Sequence, residues 1–477
     1  MVEVKGMSSD NNQPNERGQW TSSFGFVMAA AGSAVGLGNL WRFPYLVGEN
    51  GGSAFLIIYL LFVIFIGLSL VIAEISVGRA AQLNPVGAFN LISPKLKWVG
   101  AMGILTGFVI ISYYPVVGGW ILYYLYHSFA DSSASIDYAQ LFSNYTSNTT
   151  LSITTLLIYS LLSYGIVVGG IEKGIEKYSR IMMPALFVIL FMVIVRTATL
   201  EGSWQGIKFL LQPDFSKVTV KTIFEAMGQV FFSLSLGMGA LMTYGSYMKK
   251  NDNIFNSAVA IPFIDTGVAF FAALAIIPAV FAFGAEPNQG PALIFITLPA
   301  IFAKMPMGTF VSVIFFILML FAALTSSISM LEGLVAYMID NWKWKRFNAT
   351  TFVSIVIFLT GIPCALSFGL FKDFTLLPGK TVFDTLDFLA SNILLPFGGF
   401  MLSVSVGWLW DRGLRYKTTI IEDSEGNRIV KNGYVFNKPL QEITNDGKLN
   451  FPFMSAWIFT IKWICPLIIL AIFLYNL

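Results

Sequence analysis

The sequence has little charge. Only 12% of its 477 residues are Asp, Glu, Lys or Arg, and 56% are hydrophobic, whereas about a quarter of the residues of a soluble domain are charged. The mean hydropathy is +0.72. A membrane-spanning helix needs about 20 mainly apolar residues, and a chain of this length has room for many. The composition therefore excludes a soluble domain and predicts a polytopic helical protein of the cell membrane.

Histidine and cysteine are almost absent. His127 is the single histidine, and the two cysteines, Cys364 and Cys465, fall in separate hydrophobic segments. No disulfide framework is implied, and zinc or haem centres, which need clustered ligands, are excluded. A membrane enzyme would need a nucleophile and base or a set of metal ligands. We therefore predict that the chain is not an enzyme, and we expect no nucleic-acid partner.

Apolar runs bounded by polar residues or by Gly and Pro clusters predict eleven membrane spans. Several runs are longer than an upright span needs, so these helices must tilt or extend beyond the bilayer. The predicted spans are 21–48, 54–80, 98–129, 151–170, 175–197, 221–247, 253–284, 309–340, 348–369, 381–411 and 454–475.

Lysine and arginine predict the orientation of the chain. Cytoplasmic loops carry an excess of these residues. Placing the N-terminus inside assigns to the cytoplasm most of the loop lysines and arginines, including Lys95, Lys97, Lys343 and Lys345. We therefore predict a cytoplasmic N-terminus and, after eleven crossings, an extracellular or periplasmic C-terminus.

Two of the predicted spans are interrupted. Residues 32–44, GSAVGLGNLWRFP, contain three glycines in seven residues, followed by an Asn, an Arg and a Pro, and residues 231–239, FFSLSLGMG, have a similar composition. Glycine destabilises a helix by about 1 kcal/mol relative to alanine, and unsatisfied backbone groups cost several kcal/mol in hydrocarbon. Two broken helices in corresponding positions of two halves indicate the binding site of a transporter.

Three stretches resemble the neurotransmitter:sodium symporter family. They are GSAVGLGNLWRFPYLVGENGG (32–52), GQVFFSLSLGMGALMTYGSY (228–247) and FAALTSSISMLEGL (321–334), in the family's order, so the resemblance covers spans one to ten. Eleven spans instead of twelve is similar to a bacterial amino-acid transporter branch. The resemblance implies an all-α polytopic fold of two inverted five-helix repeats, with helices 1 and 6 discontinuous, a geometry that bacterial members of this family exemplify.

The resemblance also implies a division of the chain. Apolar periodicity broken by Pro299 indicates a helical hairpin over the outer face, and the polar stretch after span ten indicates a cytoplasmic loop with room for a small hairpin. The implied segments are 1–20 (cytoplasmic, with inner-gate residues), 21–197 (first repeat), 198–220 (extracellular loop), 221–411 (second repeat, with the extracellular hairpin 286–308), 412–453 (cytoplasmic loop) and 454–477 (eleventh helix).

Two sodium sites follow from the resemblance. Sodium is a hard cation that needs several oxygens in place of water, by the logic that applies to other hard cations. The same small residues are also common in membrane helix packing, and from composition alone this alternative stays open. One implied site uses the Ala34 carbonyl, the Asn39, Ser233 and Asp265 side chains and the substrate carboxylate; the other uses the carbonyls of Gly32, Val35 and Ala322 and the hydroxyls of Thr325 and Ser326.

Asp265 is an acid in the middle of a hydrophobic span. Charges there cost about 2.5–3.5 kcal/mol or more and mark functional sites; a structural, helix-bonded acid is the alternative. The family more often has Asn at this position, and its chloride-dependent members bind an anion nearby. We therefore expect no chloride requirement, with Asp265 supplying the negative charge and protonating on the empty return step.

The expected substrate is an L-amino acid. Monoamine transporters of this family carry an aspartate where this chain has Gly36, so the substrate should bring its own carboxylate to the helix ends, where free N–H groups favour anions. Methionine adapts to large ligands or fills gaps in a core, so a hydrophobic or aromatic side chain is the favoured reading. The implied substrate-binding residues are Ser33, Ala34, Leu37, Gly38, Ile110, Tyr114, Phe232, Ser233, Ser235, Met238, Ser326 and Met330.

Opposite charges near the two membrane faces indicate gates. Exposed ion pairs contribute only about 0–1 kcal/mol, which suits a contact that must open in each cycle. Ordinary interfacial charge is the alternative for the inner pair. Glu74, within the second span, is a candidate for hydrogen-bonding the broken backbone of span six. The resemblance implies an outer pair Arg42–Asp387 with Phe232 as a lid, and an inner pair Arg17–Asp340 with Trp20 and Tyr247 beside it.

Together these observations predict a sodium-coupled secondary active symporter that imports a hydrophobic or aromatic L-amino acid by alternating access. The expected partners are the amino acid, Na⁺ at two sites and membrane lipid, and the expected state is a monomer or weak homodimer. A channel would need a continuous polar stripe, whereas the polar groups here concentrate at the two breaks. A sodium-dependent amino-acid sensor of the same fold, which binds without transport, remains the alternative.

Overall fold

The computed structural model of the protein describes residues 17–130, 136–285, 292–414, 416–422, 428–434 and 437–476. Helices dominate these ranges. The α-helices are α1 Ser23–Ala34, α2 Phe43–Glu49, α3 Ser53–Phe62, α4 Leu68–Ala81, α5 Pro85–Ile92, α6 Lys97–Ala130, α7 Tyr138–Ser147, α8 Thr149–Val167, α9 Lys177–Ala198, α10 Ser203–Leu211, α11 Val220–Ser233, α12 Ala240–Gly245, α13 Ile254–Ala282, α14 Leu298–Lys304, α15 Gly308–Trp342, α16 Arg346–Leu366, α17 Val382–Phe388, α18 Leu395–Val404, α19 Lys438–Thr444, α20 Met454–Phe459 and α21 Cys465–Asn476.

Short π-helical segments join several of these helices into longer spans. They allow a local change of winding without exposing the backbone to lipid. The π segments are Gly38–Arg42, Val63–Gly67, Ile171–Glu176, Leu293–Thr297, Leu389–Leu394, Ser405–Leu409 and Thr460–Ile464, and short 3₁₀ turns occupy Pro94–Leu96, Phe215–Lys217 and Trp410–Arg412.

The described helices confirm the predicted polytopic all-α architecture. Nine of them, counted with their π segments, are long and apolar enough to cross a membrane, and a tenth span is the pair Ser23–Ala34 and Gly38–Glu49, bent by 52°. The remaining predicted span, 221–247, is divided between α11 and α12, each too short to cross alone. The spans begin and end within a few residues of the predicted positions.

The core of the bundle lies where the broken spans meet the long continuous ones. Helix α15 packs along α6 and α9, and α1 packs against α13 and α15. The side of α15 that carries Thr325 and Ser326 is therefore buried against the first broken span. This packing holds both interruptions between rigid helices, near the middle of the bundle.

The connections differ from the predicted outline. The predicted extracellular loop 198–220 contains α10, and 85–92 and 138–147 are helical as well. In the predicted hairpin 286–308, the described residues form one helical segment, Leu293–Lys304. Pro299 directly follows the π-helical turn Leu293–Thr297, and the helix continues through it. Residues 286–291, which would form the other arm, lie outside the described residues.

The loop between spans ten and eleven contains the only strands among the described residues. Strands β1 (Tyr416–Glu422) and β2 (Arg428–Tyr434) pair antiparallel, with Tyr416 opposite Tyr434, and α19 follows them. The end of the bundle that carries Trp20, Asp340 and α19 is called the inner end below, following the predicted orientation, and the opposite end the outer end.

Candidate transport site

The first break separates α1 from the π segment that precedes α2. Val35 has φ −68° and ψ 109°, which is extended backbone, so the helical hydrogen bonding stops there. The Asn39 side chain replaces one of the lost helical hydrogen bonds, because its Oδ1 accepts a hydrogen bond from the Gly36 N–H at 3.1 Å. Leu37 N–H donates to the Tyr114 hydroxyl at 3.3 Å. The N-terminal end of the second half-helix therefore presents backbone N–H groups towards Tyr114.

The second break lies between α11 and α12. Its backbone enters the left-handed region at Ser235 (φ 53°), Gly237 (φ 88°) and Gly239 (φ 76°). For serine this conformation costs about 1–2 kcal/mol, and such strain persists where surrounding contacts fix it. Ser235 Oγ donates to the Ser33 carbonyl at 3.0 Å. The Gly237 N–H donates to Oε1 of the buried Glu74 at 2.8 Å, as the sequence predicts for Glu74.

A small cavity of about 30 Å³ lies between the two breaks. A cavity of this size holds a water molecule and not an amino acid, so its flexible side chains must separate when a substrate enters. Of the predicted substrate-binding residues, those on its wall are Ala34, Leu37, Gly38, Ile110, Tyr114, Phe232, Ser235, Met238, Ser326 and Met330.

Two predicted substrate-binding residues are not on the cavity wall. Ser33 contributes its carbonyl behind the wall, where it accepts from Ser235 and, at 3.3 Å, from Ser326. Ser233 is turned towards Asp265. Sequence reasoning missed Leu395, which does line the cavity. The neighbouring pair Gly398–Gly399 in an apolar span, a pattern typical of close backbone approach, was the available signal.

Gly36 is the more closely packed of the two glycines on the cavity wall. A Cβ atom at this position would lie 2.4 Å from Ser326 Oγ and 3.1 Å from the Tyr114 hydroxyl. Any side chain here would therefore displace the hydroxyl groups that face the second half-helix. The geometry explains why the position is glycine, because a larger residue would collide with both hydroxyl groups.

Asp265 lies at the centre of the first predicted sodium site. It is fully buried, and its carboxylate accepts hydrogen bonds from Asn39 Nδ2 at 2.8 Å, Ser233 Oγ at 2.8 Å and the Tyr59 hydroxyl at 3.5 Å. Three side chains from three spans thus converge on one negative charge. The structure brings Asn39, Ser233 and Asp265 together, and Ala34 lies on the cavity wall.

The second predicted sodium site gathers neutral oxygens. Thr325 Oγ1 lies 3.0 Å from the Ala322 carbonyl and 3.4 Å from the Val35 carbonyl, and Ser326 Oγ lies 3.2 Å from the Val35 carbonyl. Gly32 packs against Thr325, since a Cβ on Gly32 would lie 3.1 Å from the Thr325 Cβ. Carbonyl and hydroxyl oxygens without a net charge suit a monovalent hard cation.

A larger cavity of about 510 Å³ opens above the central one at the outer end. Leu37, Tyr114 and Phe232 line both cavities and so separate them. Arg42 and Asp387, both within the described part of the chain, line the outer cavity and are not ion-paired with each other. The Arg42 guanidinium instead lies 5.3 Å from the Phe232 ring centroid. The outer path is therefore open as far as Phe232.

Replacing Phe232 by Ala should remove the barrier between the two cavities. We expect the dissociation rate of bound substrate to rise by about tenfold, because Phe232 is partly buried and the lower end of the about 1.5–3 kcal/mol that a fully buried aromatic side chain contributes corresponds to about tenfold. Dilution of labelled substrate from purified protein measures this rate. Phe388→Ala, which alters only the outer cavity, is the matched control. Equal rates in the two variants would show that Phe232 is not the lid.

The inner end is closed by a network around Arg17. Arg17 Nε lies 3.2 Å from Asp340 Oδ1, Arg17 Nη2 donates to Ser246 Oγ at 2.8 Å, and the guanidinium lies 5.0 Å from the Tyr247 ring centroid. Trp20 is 1% exposed and its Nε1 donates to the Tyr244 carbonyl at 2.8 Å. The predicted inner-gate residues are thus in mutual contact.

Sequence reasoning missed a buried ion pair behind this network. Tyr247 donates its hydroxyl hydrogen to Glu332 Oε1 at 2.6 Å, and Arg346 binds the same carboxylate with both terminal nitrogens, at 2.7 and 2.8 Å. The two residues of the pair lie on successive helices, α15 and α16. Only the acid within an apolar span was visible in the sequence; its partner, at the start of the next helix, was not.

The sequence is similar to those of known sodium-dependent transporters. A family model described as the sodium:neurotransmitter symporter family matches residues 17–152 and 140–476. A sodium-dependent transporter of Bacillus subtilis, YhdH, is 40% identical over 461 residues, covering 96% of this chain and 97% of that protein. The creatine transporter of Torpedo marmorata is 29% identical, covering 85% of this chain and 74% of that protein.

A solved structure also matches. The crystal structure of MhsT in complex with L-phenylalanine superposes with a TM-score of 0.84 at 39% sequence identity, and the match covers 97% of this chain and 100% of that one. The likeness therefore extends over nearly the whole chain and is not confined to one repeat.

Proposed function

Because the chain belongs to the sodium:neurotransmitter symporter family, whose members are membrane transporters and not enzymes, we propose that it imports a hydrophobic or aromatic L-amino acid together with Na⁺ and without chloride. The observation that carries the proposal is the pair of helix breaks facing one buried cavity, in which the Tyr114 hydroxyl accepts a hydrogen bond from the Leu37 N–H at the start of the second half-helix.

The cavity supports a zwitterionic substrate. Backbone N–H groups at the start of the second half-helix of span one, together with the Tyr114 hydroxyl, suit a carboxylate. Carbonyl groups at the end of the first half-helix suit an ammonium group, because they carry the negative end of the helix dipole. Gly36 leaves no acidic side chain in this place, so the substrate itself must supply the carboxylate.

A large apolar side chain fits the rest of the wall. Ile110, Met238, Met330 and Leu395 are apolar residues of the cavity wall, and methionine adapts its shape to bulky groups. The related MhsT structure holds L-phenylalanine. Among the twenty amino acids, we therefore expect phenylalanine and other large hydrophobic residues to compete best for a labelled substrate, and acidic or basic ones not to compete.

Sodium binding and substrate binding are coupled in this proposal. Both proposed ion sites use backbone or side-chain oxygens from the first break, and the substrate carboxylate completes the first site. Each sodium ion that enters down a 100 mV membrane potential contributes about 2.3 kcal/mol, so two ions support substantial accumulation. The closed inner network and the open outer cavity correspond to the state that accepts sodium and substrate from outside.

The proposed setting is the cell membrane, with the N-terminus in the cytoplasm and the C-terminus outside. The broad apolar outer surface of the spans suits contact with lipid. The proposed oligomeric state is a monomer or a weak homodimer, since either leaves most of this surface in contact with lipid. Alternating access then requires the Arg17–Asp340 network to open after the outer cavity closes over Phe232. Arg42 and Asp387, which face the same cavity, are placed to form the outer contact.

A counterflow experiment tests transport against sensing. Proteoliposomes loaded with unlabelled L-phenylalanine should take up labelled L-phenylalanine in sodium medium at least tenfold faster than protein-free liposomes, because exchange requires repeated opening of both gates. Sodium-dependent binding without counterflow would favour the sensor. Absence of both would contradict the proposed function.

A further inference from the structure

The loop between spans ten and eleven contacts the inner end of span two through hydrogen bonds to Arg79. Arg79, in the last turn of α4, is 1% exposed although it is charged. Its Nε donates to Glu442 Oε1 at 2.7 Å, and its Nη2 donates to Asn445 Oδ1 at 2.7 Å and to the Glu442 carbonyl. Its Nη1 donates to the Asp252 carbonyl. The guanidinium is thus enclosed by α19 and the loop after span six.

A lysine completes the contact. Lys250 Nζ donates to the Arg79 carbonyl at 2.9 Å and lies 3.4 Å from Glu442 Oε1. The acid of α19 therefore joins two basic residues from two different parts of the transport bundle. A buried arginine is stable only while its charge stays paired, so this arrangement requires α19 to remain docked.

Helix α19 is in turn fixed to the end of span ten. The Lys438 N–H donates to Asp411 Oδ2 at 3.2 Å, and Asn437 Nδ2 donates to the Gly413 carbonyl at 2.8 Å. The docked helix consequently links the inner end of span ten to the inner ends of spans two and six.

The residues that follow Arg79 reach the inner gate directly. The Gln82 carbonyl accepts a hydrogen bond from Arg17, and Asn84 donates to Asp340 Oδ2 through its backbone N–H at 2.7 Å and through its Nδ2 at 2.9 Å. The segment 79–84 therefore holds both members of the Arg17–Asp340 pair, and α19 holds its first residue.

From this chain of contacts we infer that Arg79 and Glu442 are positioning residues for the inner gate: docking of α19 keeps segment 79–84 in the place where Gln82 and Asn84 hold Arg17 and Asp340 together. The inference rests on the proposed alternating-access function. Neutralising Glu442 leaves the Arg79 charge buried and unpaired, which favours undocking of α19. The fraction of protein with an open inner end then rises, because the closed state loses a contact that the open state does not need.

Alkylation of a cysteine placed at Ser246 reports opening of the inner end. Ser246 is buried beneath Arg17, and the native Cys364 and Cys465 are buried. In choline medium, full-length Ser246→Cys protein that also carries Glu442→Gln should react with a polar maleimide about fivefold faster than Ser246→Cys alone, within the range that coupled residues contribute. Saturating sodium should restore slow labelling, since it favours the inner-closed state, whereas a loop that has merely unfolded would not respond.

Two further variants make the test specific. Asp446→Asn removes a negative charge from the same recess beside α19 and should leave the labelling rate unchanged. Arg79→Gln combined with Glu442→Gln should label no faster than Glu442→Gln alone, because one ion pair carries the effect. Three results would overturn the inference: a labelling rate that Glu442→Gln leaves unchanged, additive effects of Arg79→Gln and Glu442→Gln, or labelling of the Ser246→Cys/Glu442→Gln protein that sodium does not slow although it slows labelling of Ser246→Cys. If sodium fails to slow labelling in Ser246→Cys itself, the proposed function is contradicted instead.

Discussion

Replacing Asp265 by Asn is expected to lower uptake in chloride-free medium by about 100-fold and to make the remaining transport depend on chloride. The Asp265 carboxylate accepts hydrogen bonds from Asn39, Ser233 and Tyr59, and it compensates the charge of the adjacent proposed sodium site. Removing a buried charge while its donors stay in place costs about 3 kcal/mol, which corresponds to about 100-fold.

Chloride should rescue the Asp265→Asn variant because the same donors then face an uncompensated sodium ion. An anion that accepts hydrogen bonds from them restores the charge balance that the carboxylate provides. Uptake of labelled L-phenylalanine, with chloride exchanged for gluconate at constant sodium, measures both proteins. Asp265→Glu, which keeps the charge, is the matched control and should stay independent of chloride. Loss of wild-type uptake in gluconate would contradict this assignment.

Replacing Thr325 by Val should raise the sodium concentration needed for half-maximal substrate binding by about tenfold or more, because even residues behind a metal ligand contribute about 10–100-fold to metal affinity. Valine keeps the shape of threonine, and it removes the hydroxyl that lies between the carbonyls of Ala322 and Val35. Substrate affinity at saturating sodium should change much less, since the hydroxyl is directed at the proposed ion site.

The control for this variant is Thr106→Val. Thr106 is also fully buried in a long helix, and its hydroxyl donates to the Met102 carbonyl one turn earlier, as Thr325 does to Phe321. Its replacement should leave the sodium dependence unchanged. A sodium titration of substrate binding that gives the same midpoint for Thr325→Val and Thr106→Val would remove Thr325 from the sodium site.

The sequence predicted the two breaks because they violate a strong local rule. Glycine-rich, polar stretches inside spans are rare enough in hydrocarbon to indicate a site, and the structure has breaks at Val35 and at 234–239. The position of Asp265 inside a hydrophobic span was visible in the same way, whereas its place beside Asn39 was implied only by the family resemblance. These features depend on composition over a few residues, which a single sequence displays.

Contacts between distant residues could not be predicted in this way. The Glu332–Arg346 pair and the docking of Glu442 on Arg79 depend on which helices become neighbours. Pro299 was read as a break, whereas the helix Leu293–Lys304 continues through it, directly after a π-helical turn. A π-helical turn, which changes the local hydrogen bonding around a proline, cannot be recognised from propensity alone.

The most direct test of the account is equilibrium binding of labelled L-phenylalanine to the purified protein, with sodium replaced by choline at constant ionic strength. In the proposed mechanism, sodium and a zwitterionic ligand together stabilise the unwound peptide of both breaks. This mechanism predicts saturable binding in sodium that falls by at least tenfold in choline, because the ligand carboxylate completes a sodium site. Equal binding in the two media would contradict it.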